Sequence, residues 1–238
     1  MADLAAVVPW LRDCDPSSIR RLARRLGVRR KRGRGFLHSP DPAYDAKLAA
    51  ITAAQCFARA APGQVVLLYE DEFTYARRPT VASGYAPIGS ALPAAPLGHG
   101  PNTRRRGAAC LDAATGRVLA WQRAHFDRRA LRRFYETVAA AYPEAEHVFL
   151  VHDNWPVHHH PDLVDGLADP RVHLLPLPTY APWTNPVEQL WRALKADLLH
   201  LHPFAADWDG LQAAVAAWLA TWATPNIDHL HQLGLCPH

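Results

Sequence analysis

The chain has 238 residues, 49% of them hydrophobic, enough to bury one substantial core and a small appendage. No apolar run approaches the length of a membrane span, no signal-peptide order opens the chain, and four scattered cysteines (Cys14, Cys56, Cys110 and Cys236) suggest neither a zinc ribbon nor a disulfide framework. The formal charge of +4 and pI near 9.0 are only mildly basic, but the excess is concentrated between Arg12 and Arg34, a pattern that suits a phosphate-bearing partner.

In chain order, a helix is expected from about Leu4 to Arg12, weakened by Pro9. A second is capped by Asp15, opened by Pro16, striped by Ile19, Leu22 and Leu26, and ended by Gly27. Its exposed side would carry Arg20, Arg21, Arg24 and Arg25, and an arm with Arg29, Arg30, Lys31, Arg32 and Arg34 follows. Two short helices and an Arg-rich arm make a partial helix-turn-helix that could grip DNA. An amphipathic helix with a solvated basic face accounts for the same pattern. The HSPDP stretch reads as a linker, which divides the chain into residues 1–42 and a main domain, 43–238.

A helix is expected from Tyr44 to about Ala61, then a buried strand, VVLLY, from Val65 that ends in Glu70, Asp71 and Glu72. Residues 79–101, rich in Pro, Gly and Ala, read as loop or edge. Weaker strands follow at Arg106–Leu111 and Arg117–Gln122. A helix capped by Asp127 runs to Tyr142 with Leu131, Phe134, Tyr135 and Val138 on one side. Next come a strand at Val148–His152, a short helix near Pro161–Ala168 and a strand at Val172–Leu177. A turn over Thr179–Pro186 leads to a helix to about Leu199, and a last helix spans Trp208–Trp222. This order predicts an α/β, ribonuclease H-like fold: a mixed five-stranded sheet flanked by helices.

In such a sheet the first and fourth strands are neighbours, so Asp71 and Asp153 would meet at its carboxyl edge. Two close carboxylates repel, and a divalent cation between them compensates. Either residue alone also fits a cap or turn. Glu188 has two open roles: a capping box with Asn185 and Pro186, or a third metal oxygen. An all-oxygen set suits Mg²⁺. Glu70 and Glu72 should point to the opposite face by strand alternation and are weaker ligand candidates. Of the run His158, His159 and His160, only His158 is placed near the site, since adjacent histidines rarely converge on one ion. Trp155, Trp183 and Trp191 could stack on bases or pack.

The segments YEDE, DNWPVH and LPTYAPWTNPVEQLW resemble the DDE transposases of the mariner-like superfamily, in its bacterial insertion-sequence branch. The likeness runs from about Ser17 to the C-terminus, and 34 residues lie between Asp153 and Glu188, as is typical of that branch. It implies that Asp71, Asp153 and Glu188 are catalytic and hold two Mg²⁺ or Mn²⁺ ions, with Asn154, His158 and Asn185 supporting the ligands or positioning DNA. It also implies a metal-dependent endonuclease and strand transferase that hydrolyses element ends and joins them to target DNA at TA. Double-stranded DNA and a second copy of the chain would be partners, in the bacterial cytoplasm at the nucleoid. Relatives begin with paired helix-turn-helix units, of which this chain is expected to keep only the last part. An inactive remnant that binds DNA through its arm is the competing reading. A small-molecule phosphatase is a weaker one, because EDEFT lacks a DxDxT arrangement.

Overall fold

The structure is a computed structural model that describes residues 15–27, 39–84 and 86–235. It divides into two units, residues 1–37 and 38–238. In the first unit the described element is helix α1, Pro16–Arg25. The Asp15 carboxylate accepts from the amides of Ser17 and Ser18, Pro16 opens the helix, and Gly27 closes it at φ 73°. Arg20, Arg21, Arg24 and Arg25 are exposed on it. The helix expected at Leu4–Arg12 and the arm residues Arg29, Arg30, Lys31, Arg32 and Arg34 lie outside the described residues.

The second unit is built on five strands: β1 (Val65–Ala76), β2 (Arg104–Asp112), β3 (Val118–Arg123), β4 (His147–His152) and β5 (Val172–Pro176). Their order is β3-β2-β1-β4-β5, antiparallel among the first three and parallel from β1 to β5. This is the mixed ribonuclease H-like sheet that the element order predicts. The helices are α2 (Tyr44–Ala60), α3 (Arg128–Ala140), α4 (Pro161–Val164), α5 (Val187–Leu194), α6 (Trp208–Ala220) and α7 (Ile227–Gln232).

Strand alternation sorts the core into two layers. Leu67, Tyr69, Phe73 and Tyr75 of β1 pack with α2, α5 and α6 through residues such as Ile51, Leu190, Trp191 and Leu211. Val66 and Leu68 turn the other way, onto Leu131, Phe134, Tyr135 and Val138 of α3 and Leu163 of α4. Each such fully buried side chain contributes about 1.5–3 kcal/mol relative to exposure.

The largest departure from the sequence reading is β1. The acidic triplet looks like a strand end, yet the strand continues to Ala76 because β2 pairs with it from Leu68↔Asp112 to Ala76↔Arg104. Only the pairing with β4 stops, at Tyr69↔Val151. The expected helix to Leu199 ends at Leu194 and passes into a wider π-turn over Lys195–Leu199. Helix α4 is four residues long, and α7, which carries no strong stripe, has no counterpart among the expected elements.

Candidate metal-dependent active site

Where β4 leaves its pairing with β1, the sheet opens. Continuing that register brings Asp71 level with Asp153. Both line a cleft of about 670 Å³, together with Glu72, Arg106, Asn154, Trp155, Tyr180, Asn185 and Glu188. The carboxylates expected at one rim therefore share one opening, each from a separate element: β1, the segment after β4, and the first turn of α5.

Asp71, at an odd position of β1, faces α5, where Trp191 donates from Nε1 to its Oδ2 at 2.9 Å. Trp191 is itself buried and stacks on Phe73 with ring centroids 4.2 Å apart, so its role is packing and orientation rather than base stacking. Burial, followed by the charges of Glu188, Glu72 and Asp153, outweighs the Trp191 bond and pushes the Asp71 carboxyl up to about 8. The Asp153 Oδ1 accepts from the Trp155 amide at 2.8 Å and lies 3.2 Å from His158 Nε2. Burial opposes its charge, but these partners prevail and hold the carboxyl below its ordinary value.

Glu188 does not form a capping box, because the Asn185 amide that it would cap donates to Pro182 O at 3.0 Å. Asn185 is buried and ties two elements together. Its Nδ2 donates to Glu70 O at 2.9 Å, and its Oδ1 accepts from the Val187 amide at 3.2 Å, holding the start of α5 against β1. Asn154 is held by Lys47, whose Nζ lies 3.3 Å from Asn154 Oδ1 and 2.8 Å from Asp41 Oδ2. Asp41 also accepts from the Thr179 amide at 2.8 Å, so Lys47 and Asp41 tether the lip after β5. Sequence reading missed Lys47 and Asp41, which carry no local motif. Trp183 is 53% exposed and Trp155 half-buried. His159 is exposed, and His160 Nδ1 accepts from the Asp162 amide as a cap for α4.

Glu70 and Glu72 correct the expectation most. Glu70 does point to the face opposite Asp71, where it is fully buried and accepts from the Tyr135 hydroxyl at 3.2 Å. Glu72, however, also lines the cleft. Among the described residues, the set whose ligand atoms all lie within 4.8 Å of one another is Glu70, Glu72 and His158, not Asp71, Asp153 and Glu188. The pairing depends on α3 supplying Tyr135 and on the 3₁₀ turn Pro156–His159 inserting His158, two encounters that strand alternation alone does not reveal. Burial disfavours the His158 charge, but the Asp153 and Glu72 carboxylates, with Glu70, push its pKa up to about 10. Burial and the Glu72 charge hold the Glu70 carboxyl well above its usual range.

Residues 66–211 match the family described as DDE superfamily endonuclease. The 39 kDa protein of insertion element IS630 from Shigella sonnei is 26% identical over 198 residues, which are 82% of this chain and 56% of that protein. The chain thus spans just over half the length of that curated relative. The Mos1 mariner paired end complex with Mn superposes with a TM-score of 0.64 at 14% identity, over 92% of this chain and 66% of that one. The catalytic domain of Mos1 mariner transposase does so at 0.52 and 12% identity, over 85% and 91%. Likeness at these identities is one of fold.

Proposed function

This chain belongs to the DDE superfamily endonuclease family, and we propose that it cuts DNA at the cleft between β1, β4 and α5 with Asp71, Asp153 and Glu188 as its divalent-metal ligands. The observation that carries this reading is the opening of those carboxylates onto one cleft. Their donor set is all oxygen, and burial and mutual charge raise the Asp71 carboxyl, so a hard cation is the natural counter-charge. Mg²⁺ or Mn²⁺ fits, as a pair of ions. When bound, such ions stabilise the negative charge that develops on phosphate oxygens during an in-line displacement.

The chain's own groups set the geometry. Trp191 orients Asp71, and the Trp155 amide and His158 orient Asp153. Asn185 fixes the helix that presents Glu188, and the Arg106 guanidinium lines the cleft as a partner for DNA phosphate. The exposed arginines of α1, with the basic arm that follows, would hold the duplex through its backbone without reading sequence. By the insertion-sequence and mariner likeness, hydrolysis of element ends would be followed by joining to target DNA at TA, in a dimer that pairs two ends.

Purified protein incubated with supercoiled plasmid and Mg²⁺ or Mn²⁺ is expected to nick it. Asp153→Ala should be slower by about 10²-fold or more, with plasmid binding retained. Equal absence of nicking in both proteins, with binding intact, would establish the DNA-gripping remnant instead.

A further inference from the structure

We propose that Glu70, Glu72 and His158, joined by Asp153, form a separate imidazole-containing cation site that takes a zinc-class transition ion in preference to Mg²⁺. One donor atom from each of Glu70, Glu72 and His158 lies within 4.8 Å of the others. His158 Nε2 is 3.2 Å from Asp153 Oδ1, 3.5 Å from Glu72 Oε2 and 3.8 Å from Glu70 Oε2. Donors about 2.0–2.2 Å from a tetrahedral Zn²⁺ are separated by edges of about 3.4 Å, so the three distances from His158 need little adjustment, while Asp153, outside the 4.8 Å set, turns inward to complete the tetrahedron.

The site has the burial and unmet bonding of a ligand position. Glu70 is 0% and His158 1% exposed, and Glu70 Oε1, Glu72 Oε1 and His158 Nε2 have no aligned hydrogen-bond partner. Among the described residues no lysine or arginine forms an ion pair with Glu70, Glu72 or Asp153. Tyr135 selects the nitrogen that faces the carboxylates. Its hydroxyl donates to Glu70 Oε2, leaving its oxygen to accept from His158 Nδ1–H at 3.0 Å. That bond turns Nε2 toward the acids, the orientation that a hydrogen-bonded second nitrogen imposes on metal-binding histidines. Glu72 and Asp153 line the cleft and provide the way in. Mg²⁺ is poorly suited, since it favours six oxygen ligands and keeps its waters. Sharing Asp153 would couple this site to the one that faces Asp71.

The test uses the full chain without DNA and Co²⁺ as the probe, in excess Mg²⁺ to fill all-oxygen positions. Wild type is expected to retain one Co²⁺ with the intense visible bands of tetrahedral coordination, and Zn²⁺ should displace it. Asp71→Asn should keep the bands, His158→Gln should lose them, and Tyr135→Phe should bind about 10-fold or more weakly. Absence of tetrahedral bands in wild type overturns the proposal, as does their persistence in folded His158→Gln. A proton on Nε2 would then be what the carboxylates share. If His158→Gln does not fold by circular dichroism, Tyr135→Phe decides, and unchanged affinity there is equally fatal. Plasmid nicking plays no part in this readout, so its outcome stands apart from that of the endonuclease reading.

Discussion

At the residue scale, Asp71 concentrates the electrostatic cost of the cleft. Its carboxyl is held up at about 8, first by burial and then by Glu188, Glu72 and Asp153. A carboxyl raised from 3.8 favours folding in its protonated form. That contribution is complete below about pH 3.8 and is lost as pH rises through about 8. Metal-free Asp71→Asn is therefore expected to melt above wild type near pH 8.5, by at most a few kcal/mol, with the difference closing toward pH 4. Added Mn²⁺ should reverse the order by stabilising the protein that keeps the Asp71 carboxylate more than Asp71→Asn. Thermal denaturation at several pH values, with and without Mn²⁺, checks both halves, and identical melting at pH 8.5 would contradict the first.

At the element scale, β1 and α5 are coupled through one aromatic stack. Phe73 lies over Gly107 on the neighbouring strand, and a Cβ added there would collide with the Phe73 ring. Phe73 in turn stacks on Trp191, which holds Asp71. Gly107→Ala should therefore displace the ring and destabilise the fold by about 1–3 kcal/mol. It should also lower nicking more than the reduced stability explains, because Asp71 loses its orienting partner. Urea titration alongside the plasmid assay separates the two effects. The same elements show what can be read from one dimension. The caps by Asp15 and Asp127, the stripe of α3 and the buried run of β1 follow local rules, and the structure has all of them. The end of β1 does not, because continuation through three acids depends on pairing with β2, a partner some 40 residues away.

At the scale of the whole molecule, the unit 38–238 contains both core layers and every residue of the cleft. A fragment of those residues is expected to fold and to retain metal-dependent nicking at low salt. Without the arginines of α1 and the arm, its DNA affinity should fall, and the plot of log affinity against log salt should become shallower by about 0.9 for each phosphate that is no longer neutralised. Fluorescence anisotropy with a labelled duplex across a salt series measures that slope. An unchanged slope would remove the basic segment from the DNA interface.

The sequence alone determined the order of the strands and of the helices up to Ala220, the sheet that this order demands, and that Asp71 and Asp153 reach its open edge. Those follow from periodicity, capping chemistry and the alternation of strand faces, all of which act between near neighbours. Tertiary structure alone decided that Lys47 and Asp41 brace Asn154 and that Trp191 aims Asp71. It likewise decided that Tyr135 turns His158 toward Glu70, Glu72 and Asp153. Each of these is a meeting of side chains from elements far apart in the chain, and its geometry is set by strand register and helix packing, which no local pattern encodes.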